Sequence, residues 1–321
     1  MGAVFSFEIV SQSRCVGVRR RQVIAGLGSA AISGSAGCIG ESTTITVLAA
    51  GSLPKAIESH LAPAFTDETN IGVHGEFFGT NALIRMVLDG TKQPDVIISA
   101  DNALLRDRLY PEFTDWDVEF ASNSLGIGYA PETSFGQALE SDGLWYEHAL
   151  DIAEGDISIG DPDLDPLGYR AIQAFQLAAR EYGLEAFPER MLELVEIEPD
   201  EPQMMASVAA GNRAGSVVYR NMALDHDMPF FEFSDSYNFS DPDRNDHYAT
   251  ATYTTDEEGY TAEGRAVVYN ATVPNTADEP TAGIEFIQFL IDNDDRIIDA
   301  GLTSPPALPN GYGAVPEEIH L

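Results

Sequence analysis

The sequence predicts an α/β protein of three layers around a mostly parallel sheet. Three observations carry this. Strand-like apolar runs alternate along the chain with segments whose apolar residues recur at helical spacing. Some strand-like runs, such as "VIIS" at 96–99, are apolar on both faces and read as buried strands. Short turns of Gly, Ser, Thr, Asp and Pro link a strand to the helix after it, as βαβ units require.

The elements follow in order. A strand at 45–49 leads to a helix at 55–65, where Ala56, Leu61 and Phe65 are spaced for burial. A strand at 72–78 leads to a helix at 82–88, and the strand at 96–99 follows. Residues 120–132, "FASNSLGIGYAPE", read as one long extended stretch. A strand at 157–159, helices at 167–182 and 201–211, and a strand at 216–219 come next. A strand at 266–272 and helices at 281–291 and 294–301 close the pattern. Acidic segments at 234–247 and 254–264 are expected to be surface loops.

A chain of 321 residues can hold one large or two ordinary domains. Its formal net charge is −35, and its only lysines are Lys55 and Lys92. The acids are spread through core-forming segments rather than gathered in a tail, which points to a soluble domain adapted to high salt. At molar salt the Debye length is about 3 Å and self-repulsion is screened. Nucleic acid is excluded as a partner, because no basic stripe exists to neutralise phosphates. Cys15 and Cys38 both precede the globular part, so neither a disulfide framework nor a cysteine metal site is expected. The six histidines show no metal-ligand spacing, and no nucleophile elbow, phosphate loop or dinucleotide fingerprint occurs.

Residues 14–40 read "RCVGVRRRQVIAGLGSAAISGSAGCIG". Three arginines precede an apolar run at 23–32 that is too short to span a bilayer. Basic, then apolar, then small residues is the order of a signal peptide, here of twin-arginine type, over 1–37. "SAGC" (35–38) resembles a lipobox, with Cys38 as the lipidated first residue and 38–44 as a tether. The mature chain is therefore expected outside the cell, anchored to the membrane by lipid.

Three strand-to-helix turns share one chemistry: "AAGSLP" (49–54), "FFGTNA" (77–82) and "IGDPDLDPLGYR" (159–170). Ser52, Thr80 and Asp165 suit N-cap positions, and Pro54 and Pro166 suit the first helical position. Helix N-termini expose unpaired amides and a partial positive charge, and glycines such as Gly51 and Gly79 let a ligand approach. Three such ends brought together would make an anion pocket from neutral donors. Each turn taken alone reads more readily as an ordinary helix cap than as a ligand site.

These blocks resemble a family. "AAGSLPKAIESHLAPAF", "GTNALIRMVLDG", "PDVIISADNALL", "DPDLDPLGYRA" and "VPEEI" stand in the order found in archaeal-type molybdate/tungstate-binding proteins, the extracytoplasmic receptors of ABC importers. The resemblance implies a two-lobed periplasmic-binding-protein fold of type II, with the ligand cleft between the lobes and two crossovers. Lobe one is placed at 43–126 plus 266–321 and lobe two at 127–265, with hinges near 126–130 and 267–271. The implied ligand is tungstate or molybdate, the implied partner a membrane permease, and the implied state a monomer without a cofactor. By motif, Gly51, Ser52, Gly79 and Thr80 would face Asp165, Pro166 and Leu167. The family's second carboxylate is expected seven residues before a tyrosine; counting back from Tyr219 gives Asn212. A tyrosine expected further on falls at Phe230. A metal with fewer than two protein carboxylates is therefore expected. One carboxylate 4 Å from a dianion costs roughly 8 kcal/mol at a dielectric of 20. Asp165 must then ligate the metal, carry a proton, merely cap its helix, or accept a proton from a phosphate-like ligand.

Other readings remain open at this point. The ligand could be phosphate or sulfate. The scaffold could carry an enzyme with Asp165 as general base, although no nucleophile–base pair supports one. A surface adhesion lipoprotein would bind no small ligand.

Overall fold

In the computed structural model, residues 43–321 are described, apart from 142–143, 200 and 257. The expected signal, Cys38 and the tether as far as 42 lie outside the described residues. Residues Ser42–Leu321 form one compact unit, and within it the chain builds two lobes, each around its own sheet.

The first sheet has six strands. β1 (Thr44–Ala50), β2 (Gly72–Phe78), β3 (Val96–Ser99) and β4 (Trp116–Ser122) come from the first part of the chain. The second sheet holds β5 (Leu125–Tyr129), β6 (Ile157–Gly160), β7 (Glu196–Glu198), β8 (Gly215–Tyr219) and β9 (Phe230–Glu232). β10 (Thr252–Thr254) and β11 (Thr261–Glu263) form a separate hairpin. β12 (Val268–Thr272) and β13 (Asn310–Gly313) return to the first sheet. The orders are β13-β4-β12-β3-β1-β2 and β7-β6-β8-β5-β9. "VIIS" of β3 is buried throughout, as an apolar run with no polar face must be.

The expectation of a mostly parallel sheet needs correction. β2, β1 and β3 are parallel, as are β7, β6 and β8. β12 is antiparallel to β3 and β4, and β5 to β8 and β9. β5 and β12 are the strands that open each lobe after the chain crosses from the other. They enter the sheet at the end where its parallel strands finish, and so run against them.

The long stretch predicted at 120–132 is two strands in different sheets, broken at 123–124. Asn123 breaks it: its Oδ1 accepts from the amide of Ser124 at 2.9 Å, and its Nδ2 reaches Asn221 and Tyr269. The crossings therefore lie at 123–124 and at 264–267, just before the predicted hinge stretches, most of which sits inside β5 and β12. The predicted loop at 254–264 is largely the β10–β11 hairpin. It packs on the helix Pro166–Tyr182 through Gln173 and Gln176, while Tyr260 and Glu258 reach the first lobe at Asp107, Arg85 and Arg108.

Among the described residues, no helix is long and apolar enough to cross a membrane.

Candidate functional site

Strands β1, β2 and β6 each end in a turn that opens a helix, and the three turns meet across one cleft between the lobes. Gly51 and Pro54 come from the first, Gly79 and Ala82 from the second, and Gly160, Leu164 and Asp165 from the third. A fourth turn, after β7, adds Glu198, Pro199, Glu201 and Pro202. The cavity is about 200 Å³, and no lysine or arginine lines it among the described residues.

The glycines are required by proximity. A Cβ on Gly79 would stand 2.3 Å from the carbonyl oxygen of Leu164, in the opposite lobe. A Cβ on Gly51 would fall 1.8 Å from Oε2 of Glu201. At Gly79 only a hydrogen fits, because the neighbour is backbone; at Gly51 a side chain would displace the end of the Glu201 side chain.

The three predicted caps behave differently. Asp165 is an N-cap: its Oδ1 accepts from the amide of Leu167 at 2.8 Å, and Pro166 opens the helix Pro166–Tyr182. Ser52 and Thr80 cap nothing, which corrects the sequence reading. Gly79 occupies the N-cap position of the helix Thr80–Leu88. The oxygen of Thr80 instead accepts from the amide of Ala100 at 3.1 Å. The Ser52 hydroxyl lies 2.9 Å from the phenol oxygen of Tyr269, and the Ser52 carbonyl accepts from Asn221 at 2.6 Å. Both hydroxyls are buried and held by long-range partners rather than by their own helices.

Asn212 and Phe230 are not at this site. Seven residues back from Tyr219 crosses the whole of β8 and arrives at its far end. There Asn212 lines a different hollow, beside Thr133, His148 and Arg213. Phe230 opens β9, with its ring against Gly126. Among the described residues, Glu201 is the carboxyl group hydrogen-bonded to Asp165, and Asp161 and Glu198 also line the cleft. Asp165 and Glu201 are both buried. A hydrogen bond between two carboxyl groups requires one of them to carry a proton. Burial raises the pKa of Asp165, and the Leu167 amide, Glu201 and Arg170 oppose that rise. The sequence carried a signal for Glu201 that spacing from Tyr219 hid: both carboxylates immediately precede a proline, in "LDPLG" and "DEPQM".

Ser52 is tied in turn to a polar knot at the crossing. Asn123 donates to Asn221 at 2.8 Å and to Tyr269 at 3.2 Å, and the Tyr269 phenol is held neutral by burial. Sequence reasoning missed all three, because they are near one another only once the lobes are folded. No group of three metal-ligating side chains occurs among the described residues. The cleft offers glycine-lined helix starts and a hydrogen-bonded carboxyl pair to a small ligand.

The model of the bacterial extracellular solute-binding protein family matches residues 45–298. A putative ABC transporter molybdenum-binding protein of Haloferax volcanii is 36% identical, over 92% of this chain and 95% of that one. The molybdate/tungstate-binding protein WtpA of Thermococcus kodakarensis is 28% identical, over 89% and 91%. Among solved structures, the periplasmic molybdate-binding protein of Azotobacter vinelandii superposes with a TM-score of 0.59 at 15% identity, over 81% of this chain and 99% of that one. The shared fold is the two-lobed, type II periplasmic-binding-protein fold.

Proposed function

The chain belongs to the bacterial extracellular solute-binding protein family, and from that premise we propose that it captures tungstate or molybdate outside the cell and hands the anion to an ABC importer. The observation that carries this reading is the pairing of Asp165 with Glu201 in the cleft opposite Gly51 and Gly79. Hydroxyls and helix amides suit any tetrahedral oxyanion. Two carboxylates suit only one whose central atom takes further oxygen ligands, because a dianion whose central atom adds no further ligand, such as sulfate, is simply repelled. Tungsten and molybdenum accept such ligands. The expectation that the metal gains fewer than two protein carboxylates rested on Asn212, and Glu201 removes its basis. The names of the relatives from Haloferax and Thermococcus support the same ligand class.

The lobes would close on the anion about the crossings at 123–124 and 264–267. Cys38 would hold the receptor at the membrane, and Cys38→Ser should release it into the medium. Titration calorimetry of the protein in molar salt against tungstate, molybdate, sulfate and phosphate tests the ligand. Heat from the first two alone is the expected result. Tight phosphate or sulfate binding without a tungstate response would overturn the assignment. Turnover of any bound oxyester would favour the enzyme reading instead.

A further inference from the structure

We propose that Arg170 is a positioning residue for ligand capture: buried between the lobes, it locks them in the arrangement that brings Asp165 and Thr80 to one cleft. The proposal rests on the oxyanion reading above for its ligand, and on geometry alone for the lock.

Arg170 sits little more than one turn beyond Asp165 on the helix Pro166–Tyr182, in the second lobe. Its Nη1 donates to the carbonyl of Ala100 at 2.9 Å and to the Tyr219 phenol at 2.8 Å. Its Nη2 donates to Oδ2 of Asp101 at 3.0 Å. Ala100 and Asp101 belong to the first lobe, in the turn after β3. The hydroxyl of Tyr169, next to Arg170, donates to the same Oδ2 at 2.7 Å. The other oxygen of Asp101 caps its own helix, accepting from Ala103 and Leu104. One carboxylate therefore serves its helix with one oxygen and the opposite lobe with the other.

The same peptide reaches the ligand side. The amide of Ala100 donates to Thr80, and its carbonyl receives Arg170. Thr80 and the helix that starts at Asp165 are thus joined across the lobes through a single residue.

The ion pair is almost dry, with side chains 1% and 4% exposed. Its Nε is buried with no hydrogen-bond partner among the protein atoms, so the named oxygens take all of its hydrogen bonds to the protein. A buried pair gains little over two solvated charges, but removing one partner leaves the other buried and uncompensated. In a hinged protein that penalty falls on the closed state alone, since an open cleft lets water solvate the guanidinium. The intact pair sustains closure and a broken pair opposes it. The guanidinium also lies near enough to Asp165 to counter the burial that raises its pKa.

The experiment compares the full chain with Asp101→Asn, Arg170→Lys, Arg170→Met and Tyr169→Phe. Asparagine at 101 can still cap its helix, so this variant decides if Arg170→Met does not fold. Small-angle scattering without ligand is the first readout. The wild type should be more compact than Asp101→Asn and Arg170→Met, with Arg170→Lys and Tyr169→Phe between them. Stopped-flow release of tungstate is the second, and Asp101→Asn should release it roughly 10- to 100-fold faster with little change in association. An identical ligand-free profile in folded Asp101→Asn overturns the lock, whatever the rates. A shifted profile with unchanged release overturns the link to capture. If the wild type binds no tungstate, the ligand reading fails while the scattering comparison still decides on Arg170.

Discussion

The two faces of the cleft carry opposite chemistry. The first lobe presents Gly51, Pro54, Gly79 and Ala82, all neutral, at the start of two helices, and the hydroxyls of Ser52 and Thr80 are buried in the same turns. The second presents Asp165 and Glu201, two buried carboxyl groups hydrogen-bonded to each other. The first face attracts any anion and the second repels one. On the proposed reading, affinity and selectivity are divided between the lobes: hydroxyls and amides would hold oxygen atoms, and the carboxyl pair would admit only an ion able to convert repulsion into coordination.

The largest effect should come from keeping the faces apart. Gly79→Ala places a methyl against the backbone of Leu164, which has no rotamer with which to yield. Closure should fail and tungstate affinity should fall by about 100-fold or more, a loss of roughly 2.7 kcal/mol. The lobes would still fold separately, so a lowered affinity with an unchanged melting midpoint is the expected pair of measurements.

The second test removes the asymmetry. If both carboxylates approach the metal, the proton of the pair must leave on binding. Affinity should then rise with pH, by up to about tenfold per unit, over the range in which the pair loses its proton. That range lies above the ordinary carboxylate range, because burial raises the pKa of Asp165. Glu201→Gln and Asp165→Asn should each flatten the slope and weaken tungstate binding. Calorimetry in buffers of differing ionisation heat reads the released proton directly, and no release from the wild type would count against coordination by both groups.

The neutral face should show smaller losses. Hydrogen bonds to a charged group contribute about 1.5–3 kcal/mol each. Ser52→Ala and Thr80→Val should each weaken binding roughly 10- to 150-fold, without altering its pH dependence. Wild-type affinity in both would remove the hydroxyls from the site.

The smallest effect lies just outside the cleft. A neighbouring hollow holds Lys55, Asp225 and His226. Burial pushes the Asp225 carboxyl up to about 6, and Lys55 only partly opposes this. A raised acid contributes stability that is fully present below its ordinary value and is lost as pH rises through about 6. Asp225→Asn, always neutral, should therefore raise the melting midpoint slightly at pH 7 and leave it unchanged near pH 4. Equal shifts at both values would show that the carboxyl is not strained by burial.

Much of the molecule was legible in advance. The strands at 72–78 and 96–99 were placed to the residue, and the helix after Asp165 to within one. Local pattern settles such elements, because a buried strand or an Asp-Pro helix start needs little from elsewhere. The predicted hinges were off by a few residues because an extended chain looks the same whether or not it changes sheets. Asn212 was misplaced for a comparable reason. Distance along a strand is distance across the lobe, and seven residues from Tyr219 lead away from the cleft rather than along its rim.

By itself the sequence determined the α/β character and that the strands ending near 50, 78 and 160 each lead into a helix, because propensity, capping and hydrophobic period act over a few residues. Only the tertiary structure decided which groups meet. Ser52 is 217 residues from Tyr269, and Arg170 is 69 from Asp101. Glu201 joins Asp165 because β7 and β6 are parallel neighbours whose ends share one rim. No local rule reads such meetings, since they follow from strand order and lobe closure.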